Sequence, residues 1–105
     1  MAPVYVLFDL GKSALSKAQR INLQYAAASI KSCTDQVFTI EAYADNKTGS
    51  AETNKRLSSQ RAETVKKCLV EEFGVPATML RVDVKGGVDN MFYNDPALSR
   101  AVIIK

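Results

Sequence analysis

Hydrophobic residues along the chain form four short runs with the length and composition of β-strands. The runs are Val4–Phe8, Val37–Ala44, Met79–Val84 and Ala101–Ile104, all rich in β-branched, aromatic or aliphatic residues. In the second run apolar side chains recur at every other position from Phe38, which predicts one buried face and one outer face. We expect the third run to end at the following glycine pair.

Two segments between these runs have helical periodicity. The first helix should begin near Lys17, because Ser16 and Gln19 form a capping-box pattern, and should end before Thr34. Its apolar residues occupy two stripes, which predicts extensive burial. One stripe consists of Leu23, Ala26, Ala27 and Ile30, and the other of Ile21, Tyr25 and Ala28.

The second helix should follow Ser50, a favoured N-cap residue, with Glu52 near the positive end of the helix dipole. It should run to Phe73, because Gly74 supplies a left-handed C-cap and Pro76 prevents continuation. The resulting order, β-α-β-α-β-β, predicts an α/β fold with two main helices packed on one mixed four-stranded sheet. At 105 residues the chain is expected to be a single domain, residues 1–105.

Composition excludes several classes of function. A net charge of +3 is far below the dense basic surface of a nucleic-acid-binding protein, so no nucleic-acid partner is expected. No apolar run approaches the roughly 18 residues needed to span a bilayer, so membrane contact is expected only through other parts of a parent protein. The chain has no histidine, which excludes histidine bases and histidine metal ligands.

Two cysteines, Cys33 and Cys68, lie 35 positions apart without a third metal ligand, so no metal site is expected. They can form a disulfide in an oxidising compartment or serve as small buried residues on the two helices. Ser58 and Ser59 have no basic residue placed to activate them, and no cofactor-binding motif occurs. The chain is therefore expected to be no enzyme and to carry no cofactor.

Asp45 and Arg61 are the residues most suggestive of a binding site. Asp45 closes the second strand, and Arg61 lies within the apolar stripe of the second helix. A guanidinium there is costly unless it is paired or directed into a cleft. The two residues can bind the ammonium and carboxylate of one ligand, or can simply pair with each other. Asp9 follows the first strand and suits either a turn or the same rim.

The segment from Asp45 to Val65 resembles the signature of the OmpA-like peptidoglycan-binding domain. This family includes the C-terminal domains of outer-membrane porins, peptidoglycan-associated lipoproteins and flagellar stator proteins. The matching residues are Asp45, Gly49, Ser50, Asn54, Leu57, Ser58, Arg61, Ala62 and Val65. Phe8–Leu15, Gly74–Ala77 and Ser99–Val102 resemble further segments of the family, so the resemblance covers nearly the whole chain.

The resemblance implies non-covalent binding to the diaminopimelate of the peptidoglycan stem peptide, which would anchor an envelope protein to the cell wall. It implies a location in the periplasm of a Gram-negative bacterium, associated with the outer membrane. By the resemblance, Asp45 takes the ammonium and Arg61 grips the carboxylate with its bidentate fork. The implied binding residues are Asp45, Arg61, Leu57, Asp9, Tyr43, Asn54 and Arg100, with backbone amides near Leu57 completing the pocket.

The chain departs from the family pattern at the rim of this expected pocket. Ala42 replaces a usual glycine, Ser99 replaces an asparagine, and Ala101 replaces an arginine. The loop before the last strand, residues 87–98, is shorter than usual. These departures support an alternative function, a protein-interaction or assembly module that keeps the OmpA-like fold without peptidoglycan binding.

Overall fold

A computed structural model of the protein describes residues 2–45, 50–88 and 100–105, and for Asp45 and Val88 it describes the backbone alone. Residues 46–49, between the second strand and the second helix, and residues 89–99, which include most of the loop before the last strand, lie outside these ranges. The order of the described elements agrees with the sequence pattern. The strands and helices are β1 (Val4–Leu7), α1 (Lys17–Lys31), β2 (Phe38–Asp45), α2 (Ala51–Lys67), β3 (Leu80–Val88) and β4 (Ala101–Ile104).

The four strands form one mixed sheet in the order β1-β4-β2-β3. β2 and β3 are parallel, whereas β4 runs antiparallel to both β1 and β2. Because β4 is inserted between β1 and β2, the ends of β1 and β2 and the start of β4 meet at the same edge of the sheet. This edge carries the predicted binding residues.

The core lies between the sheet and the two helices. On β2 the alternation is confirmed, since Phe38, Ile40, Ala42 and Ala44 are all buried. Leu23 and Ile30 of α1, together with Val65 and Leu69 of the α2 region, pack in the same hydrophobic cluster. A two-layer α/β fold with two helices on one mixed sheet is therefore confirmed.

The prediction that both apolar stripes of α1 would be buried is wrong. Leu23, Ala26, Ala27 and Ile30 are buried, but Ile21 is 48% exposed and Tyr25 is 73% exposed. The sheet can cover only one side of the helix, and the Asn22 side chain donates to the Tyr5 carbonyl of β1 at 2.9 Å. Ser16 caps the helix by accepting from the Gln19 amide, as predicted.

The end of the second helical segment is confirmed, with one change of geometry. The α-helix stops at Lys67 and continues as a π-helical turn, Cys68–Glu72, before Gly74 at φ 72°. The Val75 amide donates to the Leu69 carbonyl at 2.9 Å, which satisfies an acceptor left open at the helix end. The wider turn has no signal in the apolar periodicity.

The prediction that β3 ends at the glycine pair is wrong, because the strand continues to Val88. The register between β2 and β3 shifts between Ala42 and Tyr43, so that β3 contains one extra residue. Gly86 has φ 79°, a left-handed conformation that suits a β-bulge and is costly for other residues. The glycine therefore bends the strand and allows its pairing to continue.

Both cysteines are free thiols. Cys68 is buried in the π-helical turn and its thiol donates to Glu72 at 3.1 Å, whereas Cys33 is partly buried just beyond α1. The structure thus favours the buried-residue interpretation for Cys68, and it corrects the expected position of Cys33, which lies outside the helix. Within the described ranges, neither helix has the length and apolarity to cross a bilayer.

Candidate functional site

Arg61 lies in the middle of α2 and is completely buried, with 0% relative exposure. It is the largest of the fully buried side chains in the described part of the chain. The neighbouring buried residues of α2, Ser58, Ala62 and Val65, are small or apolar, so the helix packs closely on the sheet at this point. A charged side chain in such a position requires strong hydrogen-bond acceptors.

Three backbone carbonyls supply these acceptors. Nε of Arg61 donates to Lys12 at 2.9 Å. Nη1 donates to Tyr43 at 3.1 Å, and Nη2 donates to Asp9 at 3.1 Å. One side chain therefore joins α2 to the end of β1, to the loop that follows β1, and to the end of β2.

The surroundings of the guanidinium are aromatic and positive. Its central carbon lies 5.3 Å from the centroid of the Phe8 ring, a favourable cation–π distance. Burial, and to a smaller extent the positive charge of Arg100, lowers the pKa of Arg61 to about 10. Arg100 is partly buried just before β4, and its carbonyl accepts from the Phe8 amide at 2.9 Å.

All three acceptors of Arg61 are neutral carbonyls. Among the described side chains no carboxylate forms an ion pair with it, so the described residues stabilise its charge only through carbonyl dipoles and the Phe8 ring. A guanidinium has five N–H donors. The three bonds leave one N–H on Nη1 and one on Nη2 without an acceptor in the described residues. Two N–H groups on neighbouring nitrogens match the spacing of a carboxylate.

The structure brings Asp9 and Tyr43 to Arg61 through their backbones. The Asp9 side chain is exposed, and the Tyr43 hydroxyl donates to Glu41 at 3.2 Å instead of pointing its polar end at Arg61. Asp45 follows two residues after the Tyr43 carbonyl and ends β2, but its side chain is outside what the structure describes. An Asp45–Arg61 pair therefore stays a prediction.

Asn54 occupies the first turn of α2 and is 2% exposed. Its side-chain Nδ2 is buried and has no hydrogen-bond partner among the residues that the structure describes. A buried amide donor without an acceptor is costly, by about 1–3 kcal/mol. Such a group near the positive end of a helix is suited to an anionic or carbonyl-bearing ligand.

Leu57 is partly exposed and is the seventh residue of α2. Amides at this depth in an α-helix bond to the carbonyl four residues earlier, so the Leu57 amide is already used by the helix. In the first turn of α2 the Thr53 amide donates to the Ser50 side chain at 3.1 Å and the Asn54 amide to the Ser50 carbonyl at 2.9 Å, so only the amides of Ala51 and Glu52 lie outside these capping bonds. Leu57 can therefore contribute to a ligand site only through its side chain.

A cavity of about 240 Å³ is lined in part by Phe8, whose ring lies 5.3 Å from the central carbon of the Arg61 guanidinium. It contains two of the predicted residues, Asp9 and Arg100, and is bounded by the N-terminal end of α1. Its lining residues are Leu7, Phe8, Asp9, Ala14, Ser16, Gln19 and Arg100. The cavity is large enough for a few non-hydrogen atoms of a ligand that extends from Arg61.

Lys12 and Phe8 are the contacts of Arg61 that the sequence pattern missed. Lys12 acts through its carbonyl, which every residue possesses, so the sequence carries no signal for it. Phe8 directly precedes Asp9, and an aromatic residue at a strand end could have been predicted to form a cation–π contact with Arg61. No cluster of three or more acidic or cysteine residues suited to a metal occurs within the described ranges.

Comparison with known proteins identifies the family. Residues 7–103 match the model of the OmpA family. The chain belongs to the OmpA family. Over 100 residues it is 35% identical to outer membrane protein 41 of Porphyromonas gingivalis. The aligned region covers 95% of this chain and 25% of that relative. The chain thus spans about a quarter of the length of the curated relatives it matches first.

Solved OmpA-like domains have the same fold. The OmpA-like domain of FopA1 from Francisella tularensis superposes with a TM-score of 0.81 at 17% identity, over 97% of this chain and 69% of that one. The peptidoglycan-associated lipoprotein from Burkholderia pseudomallei gives 0.77 at 22% identity, over 96% and 86%. These identities establish the fold alone. The relatives of this OmpA-family chain are structural and binding proteins, not enzymes.

Proposed function

We propose that this OmpA-family domain binds peptidoglycan non-covalently through the diaminopimelate of the stem peptide. In doing so it would anchor an envelope protein to the cell wall. The single observation that carries the proposal is the buried Arg61 guanidinium, whose three acceptors among the described residues are neutral carbonyls, so that one N–H on Nη1 and one on Nη2 have no acceptor there. The OmpA-like family is known for association with peptidoglycan, and this knowledge selects the ligand among carboxylates.

The chemistry of diaminopimelate suits the residues at this edge of the sheet. Its side chain ends in a carbon that bears both an ammonium and a carboxylate. The carboxylate would accept from Nη1 and Nη2 of Arg61. Its negative charge would stabilise the protonated guanidinium, which burial and the positive charge of Arg100 disfavour. The ammonium would be accepted by Asp45, and the amide of Asn54 would donate to a ligand oxygen.

Arg61 has no exposed surface in the unliganded protein. A carboxylate can therefore reach it only if a neighbouring group moves aside, so binding would involve a local opening at the ends of β1 and β2. The cavity at Asp9 and Arg100 offers space for only a few further atoms of the stem peptide. We propose that the protein acts in the periplasm of a Gram-negative bacterium, in association with the outer membrane, since its relatives include outer membrane proteins.

The same burial favours a second candidate function. If the three carbonyl bonds are the whole role of Arg61, the residue is structural and the domain is an interaction or assembly module that has lost its ligand. The changed residues Ala42 and Ala101, both fully buried near this edge, fit that alternative equally well. The two candidates predict different results for wall binding by a folded protein.

Co-sedimentation with purified diaminopimelate-type sacculi separates them. The informative variant is Asp45→Asn, because it removes one charge without changing side-chain volume. Asp35→Asn is the matched control, since Asp35 is exposed beyond the C-terminal end of α1. We expect the wild type and Asp35→Asn to pellet with sacculi, and Asp45→Asn to stay in the supernatant while retaining its circular dichroism spectrum.

Absence of binding by the folded wild type would refute the wall-anchor function and favour the interaction module. Binding by Asp45→Asn at wild-type affinity would refute the assignment of the ammonium to Asp45. Competition by free meso-diaminopimelate, with lysine as the control, tests the ligand itself. A diaminopimelate carboxylate is absent from lysine, so lysine should not compete at the same concentration.

A further inference from the structure

The outer side of α1 carries an unoccupied apolar stripe with the spacing of a coiled-coil seam. Ala18, Ile21, Tyr25 and Ala28 are separated by three, four and three residues, which is the repeat of a and d positions. All four are exposed, and Ile21 and Tyr25 are 48% and 73% exposed. The opposite stripe of the same helix packs on the sheet, so this face of α1 is available to a second helix.

The residues beside the stripe are basic or neutral. With Ala18 at an a position, the g positions are Lys17, Gln24 and Lys31, and the e positions are Asn22 and Ser29. Helix α1 contains three basic residues and no acidic residue. Charges at e and g positions determine which helix pairs with which.

Within the described ranges no acidic side chain forms an ion pair with Lys17 or Lys31. Glu72 is bound to Arg20 at 2.9 Å, on the side of α1 that faces the π-helical turn. Lys31 donates to the Phe73 carbonyl at 2.7 Å, which is a neutral acceptor. Asp35 is exposed but lies beyond the C-terminal end of the helix.

Lys17 adds an independent indication. It is the first residue of α1, and the first turn contains no acidic side chain. A positive charge there is unfavourable with the helix dipole, typically by a few tenths of a kcal/mol to about 1 kcal/mol. A carboxylate supplied by a partner at this end would interact favourably with both Lys17 and the helix amides.

The charges argue against a second copy of this chain as the occupant. In an antiparallel pair of α1 helices the g positions face each other, so Lys17 of one copy would lie near Lys31 of the other. In a parallel pair the basic g positions would face Asn22 and Ser29, which offer no charge. A partner with acidic flanks satisfies the basic side in either orientation.

We propose that the outer face of α1, defined by Ala18, Ile21, Tyr25 and Ala28 with Lys17 at its edge, docks an amphipathic helix with acidic flanks from a protein partner. The contact covers only about two heptads, so it forms a reversible complex. The surface is separate from the Arg61 site, and the interaction is independent of wall binding.

Two designed helical peptides provide the test. Both have leucine and alanine at a and d positions, and they differ only in having glutamate or lysine at e and g. Fluorescence anisotropy with the labelled peptides should show saturable binding of the glutamate peptide and not of the lysine peptide. The double variant Ile21→Gln/Tyr25→Gln should weaken that binding at least about tenfold, because the peptide then no longer buries the apolar side chains of Ile21 and Tyr25.

Val37→Gln is the matched control, since Val37 is 64% exposed but lies outside α1, and it should bind as the wild type does. Lys17→Glu/Gln24→Glu should shift the preference toward the lysine peptide. Equal binding of both peptides, or binding unaffected by Ile21→Gln/Tyr25→Gln, would overturn the proposal. So would concentration-dependent dimerisation in sedimentation analysis, or binding to vesicles of anionic lipid, if either disappears in that double variant.

Discussion

Arg61→Ala should destabilise the domain more than a loss of charge alone would suggest. The side chain connects α2 to the end of β2 at Tyr43 and to the loop after β1, at Asp9 and Lys12. Alanine removes the guanidinium donor from the carbonyls of Asp9, Lys12 and Tyr43, although the Asp9 carbonyl keeps the Lys12 amide at 3.0 Å. It also leaves a void above the Phe8 ring.

The magnitude follows from two opposing contributions. A hydrogen bond from a charged donor contributes about 1.5–3 kcal/mol, and an unsatisfied buried acceptor costs about 1–3 kcal/mol. Against this, the mutation removes a buried positive charge whose lowered pKa shows that burial disfavours it. Because the three acceptors are neutral, the mutation leaves no unpaired charge among them, and we expect a net loss of about 1.5–3 kcal/mol.

Urea unfolding followed by circular dichroism measures the change in free energy. Arg56→Ala is the matched control, because Arg56 is an exposed arginine on the same helix, and it should lose less than about 0.5 kcal/mol. Arg61→Lys should fall between the two, since an ammonium cannot reproduce three bonds from a planar fork. A loss below about 1 kcal/mol for Arg61→Ala would refute the argument that the three carbonyl bonds hold this edge together.

Two further predictions concern the end of α2. Burial and the contact with Glu72 raise the pKa of the Cys68 thiol to about 12, so the unfolded chain releases this proton at lower pH than the folded protein does. The free energy of unfolding should therefore fall between about pH 9 and 12, and it should fall more steeply in the wild type than in Cys68→Ala, by up to about 1.4 kcal/mol per pH unit. Parallel pH profiles of the two proteins in urea unfolding would contradict this. Gly74→Ala should cost about 1–2 kcal/mol because φ is 72°, with Gly74→Asn losing less; equal melting temperatures for the two variants would count against a left-handed requirement.

The candidate site was only partly predictable. A guanidinium on an apolar helix face was enough to select Arg61, because buried charge needs an explanation. Its partners could not be predicted, since they are backbone carbonyls 18, 49 and 52 residues away and every residue carries such a group. The unpartnered amide of Asn54 likewise depends on what the fold places around it.

Local interactions determined the elements of this protein from its sequence. Ser16 and Ser50 cap their helices through hydrogen bonds to amides three residues ahead, and Gly74 ends the second helical segment through its own backbone freedom. The alternation of apolar residues also determined the inner face of β2, because the side chains of neighbouring residues in a strand point to opposite sides.

Only the tertiary structure decided which apolar surfaces were buried and where chain segments met. Helix α1 carries two apolar stripes, and nothing within the helix distinguishes the one that packs on the sheet from the one left exposed. The bulge at Gly86 also depends on pairing with a distant strand, since the extra residue of β3 is defined only by the register of β3 against β2. Packing and register are properties of pairs of elements, so they appear only when the chain has folded.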